Sequence, residues 1–234
     1  SNYMLTEFAQ GSTILVDKPL GWTSFDVVNK LRWNLRQRLG VKKLKVGHAG
    51  TLDPLATGLL VICVGKHTKN IEGFVADSKT YTGTILLGKT TASYDLESPY
   101  NEEFPISHID APLLEQVRAS FEGKQQQVPP IFSAKQVDGK RAYDLARAGL
   151  EVVLKPNDIE IFSMTIDAQR FPEIDFEISC SKGTYIRSIA HDFGKKCASG
   201  ATLIALRRTR SGAFSIADSK SVDDWITFFK TEAL

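Results

Sequence analysis

Apolar residues recur at helical spacing in several segments of the chain. Val28, Leu31 and Leu35 are spaced as one stripe on a helix, and the pattern Thr23-x-x-Asp26 before them is typical of a capping box. The sequence therefore predicts a helix that begins after Thr23. Similar signals predict the remaining helix features: an end of that helix at Gly40, a helix carrying Leu114, Val117 and Phe121 with Gly123 behind it, a short helix over 142–148, and a helix over 185–197.

Other segments have the composition of strands. Residues 78–88 are rich in Thr, Tyr and Ile, the residue types that strands favour. Further strands are predicted over 12–16, 152–154, 158–170 and 175–179. Because these strands do not alternate regularly with the helices, the pattern favours a mixed α+β fold. The longest purely apolar run, 59–64, is too short for a transmembrane helix, and no basic-then-apolar secretion signal is present.

Composition narrows the class of protein. The 234 residues are 42% hydrophobic and 24% charged, which is ordinary for a globular chain with one large domain. The net charge is only +2, so any binding of a polyanion must come from local clustering. Three dispersed cysteines, Cys63, Cys180 and Cys197, favour a cytoplasmic protein and support neither a disulfide framework nor a zinc site.

The positive charge is unevenly distributed. No acidic residue stands between Asp26 and Asp53. This interval carries the cations Lys30, Arg32, Arg36, Arg38, Lys42, Lys43 and Lys45, and a second group comprises Lys195, Lys196, Arg207, Arg208 and Arg210. Such clusters either contact nucleic-acid phosphates or form solvated surface, and the charges alone leave both readings open.

A glycine-rich stretch around Asp53 contains the most unusual chemistry. Pro54 biases Asp53 toward extended backbone, which holds the carboxylate on a turn. The spacing alone also fits an Asx-Pro turn that only caps local backbone. A nucleotide-triphosphate loop is excluded because Leu60 and His67 stand where glycine and Ser/Thr are required. Neither an HExxH metal motif nor a G-x-S-x-G serine elbow occurs.

Several motifs, in order along nearly the whole chain, resemble those of the TruB family of tRNA pseudouridine synthases. The stretch around Asp53 is similar to the family's signature. The matching segments are VDKPLGWTS (16–24), GHAGTLDPLATGLL (47–60), KTYTGTILLG (79–88), QVPPIFSAKQVDGKRAYDLARAG (127–149), CSKGTYIRSIAHDFG (180–194) and ATLIALRRTRSG (201–212). Thr91-Ala92-Ser93-Tyr94-Asp95 is a mild departure from the family's T-x-T-x-D pattern.

The resemblance implies a fold and a reaction. The expected fold is the α+β pseudouridine synthase catalytic core, with a curved, mostly antiparallel sheet flanked by helices and loops and an active site in a central cleft. The expected reaction converts uridine 55 in the T-loop of tRNA to pseudouridine by base flipping, cleavage of the glycosidic bond and formation of a carbon–carbon bond. Neither a cofactor nor a metal ion is expected.

The same resemblance implies roles for individual residues. Asp53 matches the catalytic aspartate, acting as nucleophile or base; Tyr81 matches the tyrosine that stacks on the flipped base; and Arg187 matches the arginine paired with the aspartate. Opposite charge about 4 Å away is worth roughly 4 kcal/mol at an effective dielectric near 20, which keeps a carboxylate ionised. Lys18 is expected to be structural. Substrate-binding roles are expected for Lys69 and Leu206 at the uracil, His48 in the gap left by the base, Tyr185, and Arg36, Arg38, Lys42 and Lys43 on RNA phosphates.

The resemblance also predicts organisation and partners. Residues 4–212 are expected to form the catalytic domain and 213–234 a short tail, with the C-terminal PUA domain of many relatives absent or vestigial. The resemblance implies tRNA as the partner, and the missing PUA domain argues against a guide RNA. The short apolar runs predict no membrane partner, and the lack of a coiled-coil heptad or an association stripe favours a monomer. One alternative is a tRNA-binding or tRNA-folding module in which catalysis is secondary. Another, a nucleotide-binding metabolic enzyme, lacks the phosphate loop it needs.

Overall fold

The computed structural model describes residues 4–130, 136–137, 140–141 and 154–234. The helix predicted over 142–148 lies outside the described residues, as do most of the strand predicted over 152–154 and much of the 127–149 motif. Helices are α1 (Leu5–Gln10), α2 (Ser24–Leu39), α3 (Ile71–Val75), α4 (Ala111–Ser120), α5 (Ile186–Lys196) and α6 (Val222–Thr231), with 3₁₀ turns at Lys66–Asn70 and Ile216–Asp218. Strands are β1 (Gly11–Lys18), β2 (Val46–His48), β3 (Ala56–Gly65), β4 (Lys79–Leu87), β5 (Lys89–Thr91), β6 (Tyr100–Glu103), β7 (Gly123–Gln127), β8 (Gln136–Val137), β9 (Lys140–Arg141), β10 (Asn157–Asp167), β11 (Glu173–Cys180), β12 (Ala201–Ser211), β13 (Phe214–Ser215) and β14 (Lys220–Ser221).

The chain forms two compact units. The first comprises Ser1–Tyr81 and Arg207–Leu234, and the second comprises Thr82–Leu206. The chain therefore leaves the first unit within β4 and returns to it within β12. Both units contain helices and largely antiparallel strands, which confirms the predicted α+β class.

In the first unit, β1 runs antiparallel to β3 from Gly11 opposite Gly65 to Lys18 opposite Gly58, and β14 lies parallel on the other side of β1. Alternate residues of β1 are buried, so the period of two places Lys18 on the same buried face as Ile14 and Val16. β3 is buried along almost its whole length, which explains why its apolar run shows no alternation.

Helix α2 confirms its sequence signals in detail. Thr23 Oγ1 accepts a hydrogen bond from Asp26 N at 2.9 Å, and Asp26 Oδ2 accepts one from Thr23 N at 2.9 Å, completing the capping box. The predicted stripe of Val28, Leu31 and Leu35 is buried. At the other end, Gly40 adopts φ +67°, and its N–H donates to the carbonyl of Arg36.

The segment predicted as a tail carries ordered elements of the first unit. β13 pairs with β12, and β14 pairs with β1. α6 packs its aromatic face on α1, with the Phe8 and Phe229 ring centroids 5.7 Å apart. Leu5 N donates to Ala233 O at 2.8 Å. These contacts integrate 213–234 into a folded unit, while the domain boundary at 212 stays a prediction.

In the second unit, the strand order is β4-β11-β10-β7, and β10 runs antiparallel to both of its neighbours. β5 and β6 form a separate antiparallel pair. α4 and α5 are where the apolar spacing predicts helices, and the stripe of Ile186, Ile189 and Phe193 is buried. These elements place the start of α5, where Arg187 lies, inside the core of this unit.

Candidate active site

Asp53 lies on an exposed turn between two buried residues, Leu52 and Ala56. The backbone before it is held by Ser24, whose hydroxyl accepts from Leu52 N at 2.8 Å and donates to Leu52 O at 3.1 Å. The backbone after it is held by Gly21, whose N–H donates to Pro54 O at 2.8 Å. The carboxylate is thus presented at the surface by a turn that is fixed on both sides.

Arg208 binds backbone carbonyls on both sides of the Asp53 turn in the sequence. Its side chain is buried and donates from Nε to Leu59 O at 2.9 Å and from Nη2 to Gly50 O at 3.0 Å. Gly58 has φ +105°, and a Cβ there would lie 2.2 Å from Arg208 O, so only glycine permits this approach. Among the residues of the second basic group, Arg208 therefore holds backbone and does not contribute free surface charge.

Lys18 is a buried cation of this region. It is fully buried, and its ammonium group donates to Pro19 O at 3.0 Å and to Trp22 O at 2.5 Å. Burial lowers the pKa of Lys18 to about 8, against the opposing effect of the Asp53 and Asp26 charges. These backbone hydrogen bonds favour the structural role expected for Lys18.

Three further candidates of the first unit are His48, Lys69 and Tyr81. His48 ends β2, and its Nδ1 is buried with no hydrogen-bond partner among the described residues. Burial, and secondly the Arg208 charge, lower the pKa of His48, so its ring is neutral at pH 7. Lys69 is exposed in the 3₁₀ turn after β3, and Tyr81 is half-buried in β4.

Arg187 is buried near the start of α5 in the second unit, with 8% of its surface exposed. Its Nε lies 4.0 Å from Asp95 Oδ2, and its Nη1 donates to Ser93 O at 3.4 Å. Asp95 is itself fixed, because its Oδ1 accepts from Ser93 Oγ at 2.6 Å and from Glu97 N at 3.0 Å. The guanidinium therefore lies against a carboxylate that sequence reasoning did not assign to it.

Tyr185 and Leu206 complete the predicted site residues of the second unit. Tyr185 caps α5 and exchanges two hydrogen bonds with buried Gln127: its N–H donates at 2.8 Å, and its carbonyl accepts at 3.0 Å. Leu206 is half-buried in β12. Gln127 is thus a supporting residue that sequence reasoning missed, since it has no local signal beyond its place at the start of the 127–149 motif.

The four predicted phosphate contacts are not equivalent. Lys42 and Lys43 are exposed between α2 and β2. Arg38 donates from Nη2 to Glu232 O at 3.1 Å and so also holds the end of the chain. Arg36 is half-buried, and its Nε has no hydrogen-bond partner among the described residues. The lysines are therefore the members whose charge is most available to RNA.

Neither a metal centre nor a membrane-spanning helix is found in the part of the chain that the structure describes. It contains no cluster of three or more His, Cys, Asp or Glu side chains arranged to hold a metal ion. None of its helices combines the length and apolarity needed to cross a membrane.

Comparison with known proteins identifies the class and then the family. A chain in the crystal structure of a Cbf5-Nop10-Gar1 complex matches 98% of this chain with a TM-score of 0.73 and 25% identity, and this chain spans 58% of that one. The fold is that of the pseudouridine synthases. Residues 36–186 match the TruB family pseudouridylate synthase (N terminal domain). The chain belongs to the TruB family, as its sequence motifs predicted.

Curated relatives resemble the chain over nearly its full length. The tRNA pseudouridine synthase B of Phocaeicola vulgatus is 50% identical over 218 residues, which is 93% of this chain and 93% of the relative. The protein of the same name from Flavobacterium johnsoniae is 49% identical over 91% of this chain and 93% of its own length. The similarity therefore includes both units.

Proposed function

We propose that this chain isomerises uridine to pseudouridine in tRNA and that its target is uridine 55 in the T-loop. The observation that carries the proposal is the near-full-length identity of about half to relatives named tRNA pseudouridine synthase B. The reaction is an intramolecular transfer: the bond from ribose to nitrogen 1 of uracil breaks, and a bond to carbon 5 replaces it. The enzyme is an isomerase that requires no second substrate.

Asp53, Tyr81 and Arg187 are the proposed catalytic residues. Asp53 attacks the ribose or removes a proton from it, and Tyr81 stacks on the flipped uracil. The exposed position of Asp53 supports this role, because a carboxylate that acts on a ribose must be reachable from solution. The fixed turn also supports it, since a reacting group misplaced by about 1 Å can lose about 10²-fold in rate.

Base flipping explains the other proposed contacts. A base inside folded RNA must leave its stack, which costs a few kcal/mol. Lys42, Lys43, Arg36 and Arg38 would bind phosphates, and neutral His48 would occupy the space that the base leaves. By the resemblance, Lys69 and Leu206 would each contact the uracil, and Tyr185 would contact the RNA. The exposure of Lys42 and Lys43 in a stretch without acidic residues favours phosphate contact.

The reaction can be tested directly with the purified chain. An unmodified tRNA transcript is incubated without added metal ion, nucleotide or guide RNA, and pseudouridine is mapped by chemical labelling and primer extension. Asp53→Asn is run in parallel, with Asp218→Asn, an exposed aspartate elsewhere in the first unit, as the matched control. We expect one modified T-loop uridine with the wild type and Asp218→Asn, and none with Asp53→Asn.

Two results would contradict the proposal. Modification at another uridine would refute the position-55 assignment but keep the reaction. No product from a folded protein that still binds the transcript would favour the tRNA-binding or tRNA-folding module. Size-exclusion chromatography with light scattering on the same preparation tests whether the chain is a monomer.

A further inference from the structure

The turn that holds Arg187 contacts α5 at a second point. Arg187 and His191 are four residues apart on α5, so their side chains lie on the same face one turn apart. Ser93 and Asp95 contact Arg187, and Tyr94 between them stacks its ring on His191. A single short turn therefore contacts the helix through the guanidinium and through an aromatic pair.

The aromatic contact is a close, nearly parallel stack. The Tyr94 and His191 ring centroids are 3.8 Å apart, and the ring planes differ by 12°. The ionic contact is long: Arg187 Nε is 4.0 Å from Asp95 Oδ2, at the outer limit of an ion pair. The turn is thus restrained against α5 by the ring stack as well as by the polar contacts of Arg187, which include the 3.4 Å hydrogen bond from Nη1 to Ser93 O.

The backbone of Tyr94 shows that this position is imposed by its surroundings. Tyr94 has φ +68°, a left-handed conformation that a bulky residue adopts only when its surroundings enforce it. Leu203 N donates to Tyr94 O at 2.9 Å and holds the turn from the side of β12. The left-handed residue turns the chain so that Ser93 O and the Asp95 carboxylate both face Arg187 while the Tyr94 ring meets His191.

The His191 ring is suited to stacking rather than to ion pairing. Its Nδ1 is buried and has no hydrogen-bond partner among the described residues. Burial lowers the pKa of His191, Asp192 opposes this effect and Lys195 adds to it, so the ring is neutral at pH 7. The two rings also border a cavity of about 550 Å³, which Phe104 and Lys195 line as well. The alternative role for the rings is therefore to bind part of the RNA, and the measurement of tRNA affinity below distinguishes it.

We propose that Tyr94 and His191 are positioning residues of the reaction. Their stack fixes the turn that carries Ser93 and Asp95 against α5, and so holds the Arg187 guanidinium in one orientation. Neither ring is required to touch the substrate. The inference rests on the proposed function in one respect, namely that Arg187 is catalytic.

The test compares variants that keep or remove the ring. Tyr94→Ala is expected to lower the single-turnover rate of pseudouridine formation by about 10- to 100-fold while the Kd for tRNA changes less than about twofold. Tyr94→Phe keeps the ring and should restore the rate to within about twofold. Tyr100→Ala removes an exposed tyrosine from the neighbouring β6 and should leave the rate unchanged.

Two further variants separate positioning from stability. Tyr94→Gly removes the ring together with the left-handed strain, so it should keep the midpoint of urea unfolding while losing as much rate as Tyr94→Ala. His191→Ala should lower the rate similarly, and the double variant Tyr94→Ala/His191→Ala should be no slower than either single one, since both remove the same contact.

A spectroscopic measurement tests the orientation of Arg187 without activity. The ¹Hε–¹⁵Nε signal of Arg187 should be single and sharp in the wild type and in Tyr94→Phe, and shifted or broadened in Tyr94→Ala. An unchanged signal and rate in Tyr94→Ala would overturn the proposal, as would a loss of tRNA affinity with a normal single-turnover rate, which would make the rings a binding element. Absence of product from the wild type refutes the proposed function instead, and the Arg187 signal still decides the positioning.

Discussion

The two charged residues proposed for catalysis are held in opposite ways. Asp53 is exposed, and its turn is fixed through backbone groups that Ser24 and Gly21 bind. Arg187 is buried, and its own guanidinium contacts the Asp95 carboxylate. Backbone hydrogen bonds fix the position of the Asp53 turn, whereas the contacts with Ser93 and Asp95 act directly on the Arg187 guanidinium. Mutations around the two residues should therefore differ in how much stability and how much catalytic rate they remove.

The largest effect on stability is expected at Asp95, which contacts the Arg187 guanidinium. Asp95→Asn removes the charge of a carboxylate that lies 4.0 Å from a buried guanidinium and accepts hydrogen bonds from Ser93 Oγ and Glu97 N, and each hydrogen bond to a charged group contributes about 1.5–3 kcal/mol. Urea unfolding measures this change. Glu97→Gln, at an exposed position on the same turn, is the control and should change stability by less than about 0.5 kcal/mol. A loss below about 1 kcal/mol for Asp95→Asn would mean that the pair does not hold the turn.

The next effect concerns Lys18, the buried charge of the Asp53 region. Its native pKa of about 8 lies below the value of an unfolded lysine, so the unfolded chain binds more protons between pH 8 and about 10.5. The free energy of unfolding of the wild type, relative to Lys18→Met, should therefore rise with pH across that window by about 2–3 kcal/mol. Denaturant melts of both proteins at several pH values measure it, and other groups cancel in the difference. A flat difference would show that Lys18 titrates normally.

A smaller loss of stability is expected at Ser24, which fixes the backbone of the Asp53 turn. Ser24→Ala leaves the buried N–H and carbonyl of Leu52 without the hydroxyl that bonds both, at a cost of about 1–3 kcal/mol. Because Asp53 follows directly, the single-turnover rate should fall as well. Thr23→Ala is the matched control: it removes the cap of the same helix for about 1 kcal/mol but leaves the Leu52 contacts in place. Equal rates for the two variants would show that Ser24 does not position Asp53.

The smallest effect on folding is expected at the exposed cations. Lys42→Glu/Lys43→Glu should change the free energy of unfolding by less than about 0.5 kcal/mol yet weaken tRNA binding. Each lost phosphate contact should flatten the dependence of log K on log salt by roughly 0.7–0.9. Arg38→Glu should also destabilise the protein, because Arg38 binds Glu232 O. Unchanged tRNA affinity at moderate salt would show that the two lysines do not contact RNA phosphates.

Local signals predicted the elements that local interactions define. The capping box of Thr23 and Asp26 and the stripe of Val28, Leu31 and Leu35 involve residues close in sequence, and α2 follows them. α6 carries a comparable signal that the sequence analysis missed. Ser221 caps it, and the apolar spacing is helical: the buried residues are Val222, Trp225, Ile226 and Phe229. The brevity of the segment led instead to the expectation of a tail.

The supporting contacts of the candidate site could not be predicted in the same way. Arg187 binds Ser93 O across 94 positions, and Arg208 binds Gly50 O across 158. No periodicity or spacing links residues so far apart, because their contact depends on the pairing of whole strands and helices. The motifs named the candidate residues themselves, while the side chains that hold them, Asp95, Ser24 and Arg208, became evident only from the structure.

The burial of all three cysteines has a practical consequence for labelling. Cys63, Cys180 and Cys197 form no disulfide and are fully buried, and burial raises the pKa of Cys197 to about 11 and that of Cys63 above its usual value. Thiolates react with maleimides and thiols do not, so the native side chains should stay unmodified at neutral pH. A single cysteine introduced at exposed Lys42 would then accept one fluorophore without a cysteine-free background, and the dye would report the arrival of tRNA in real time.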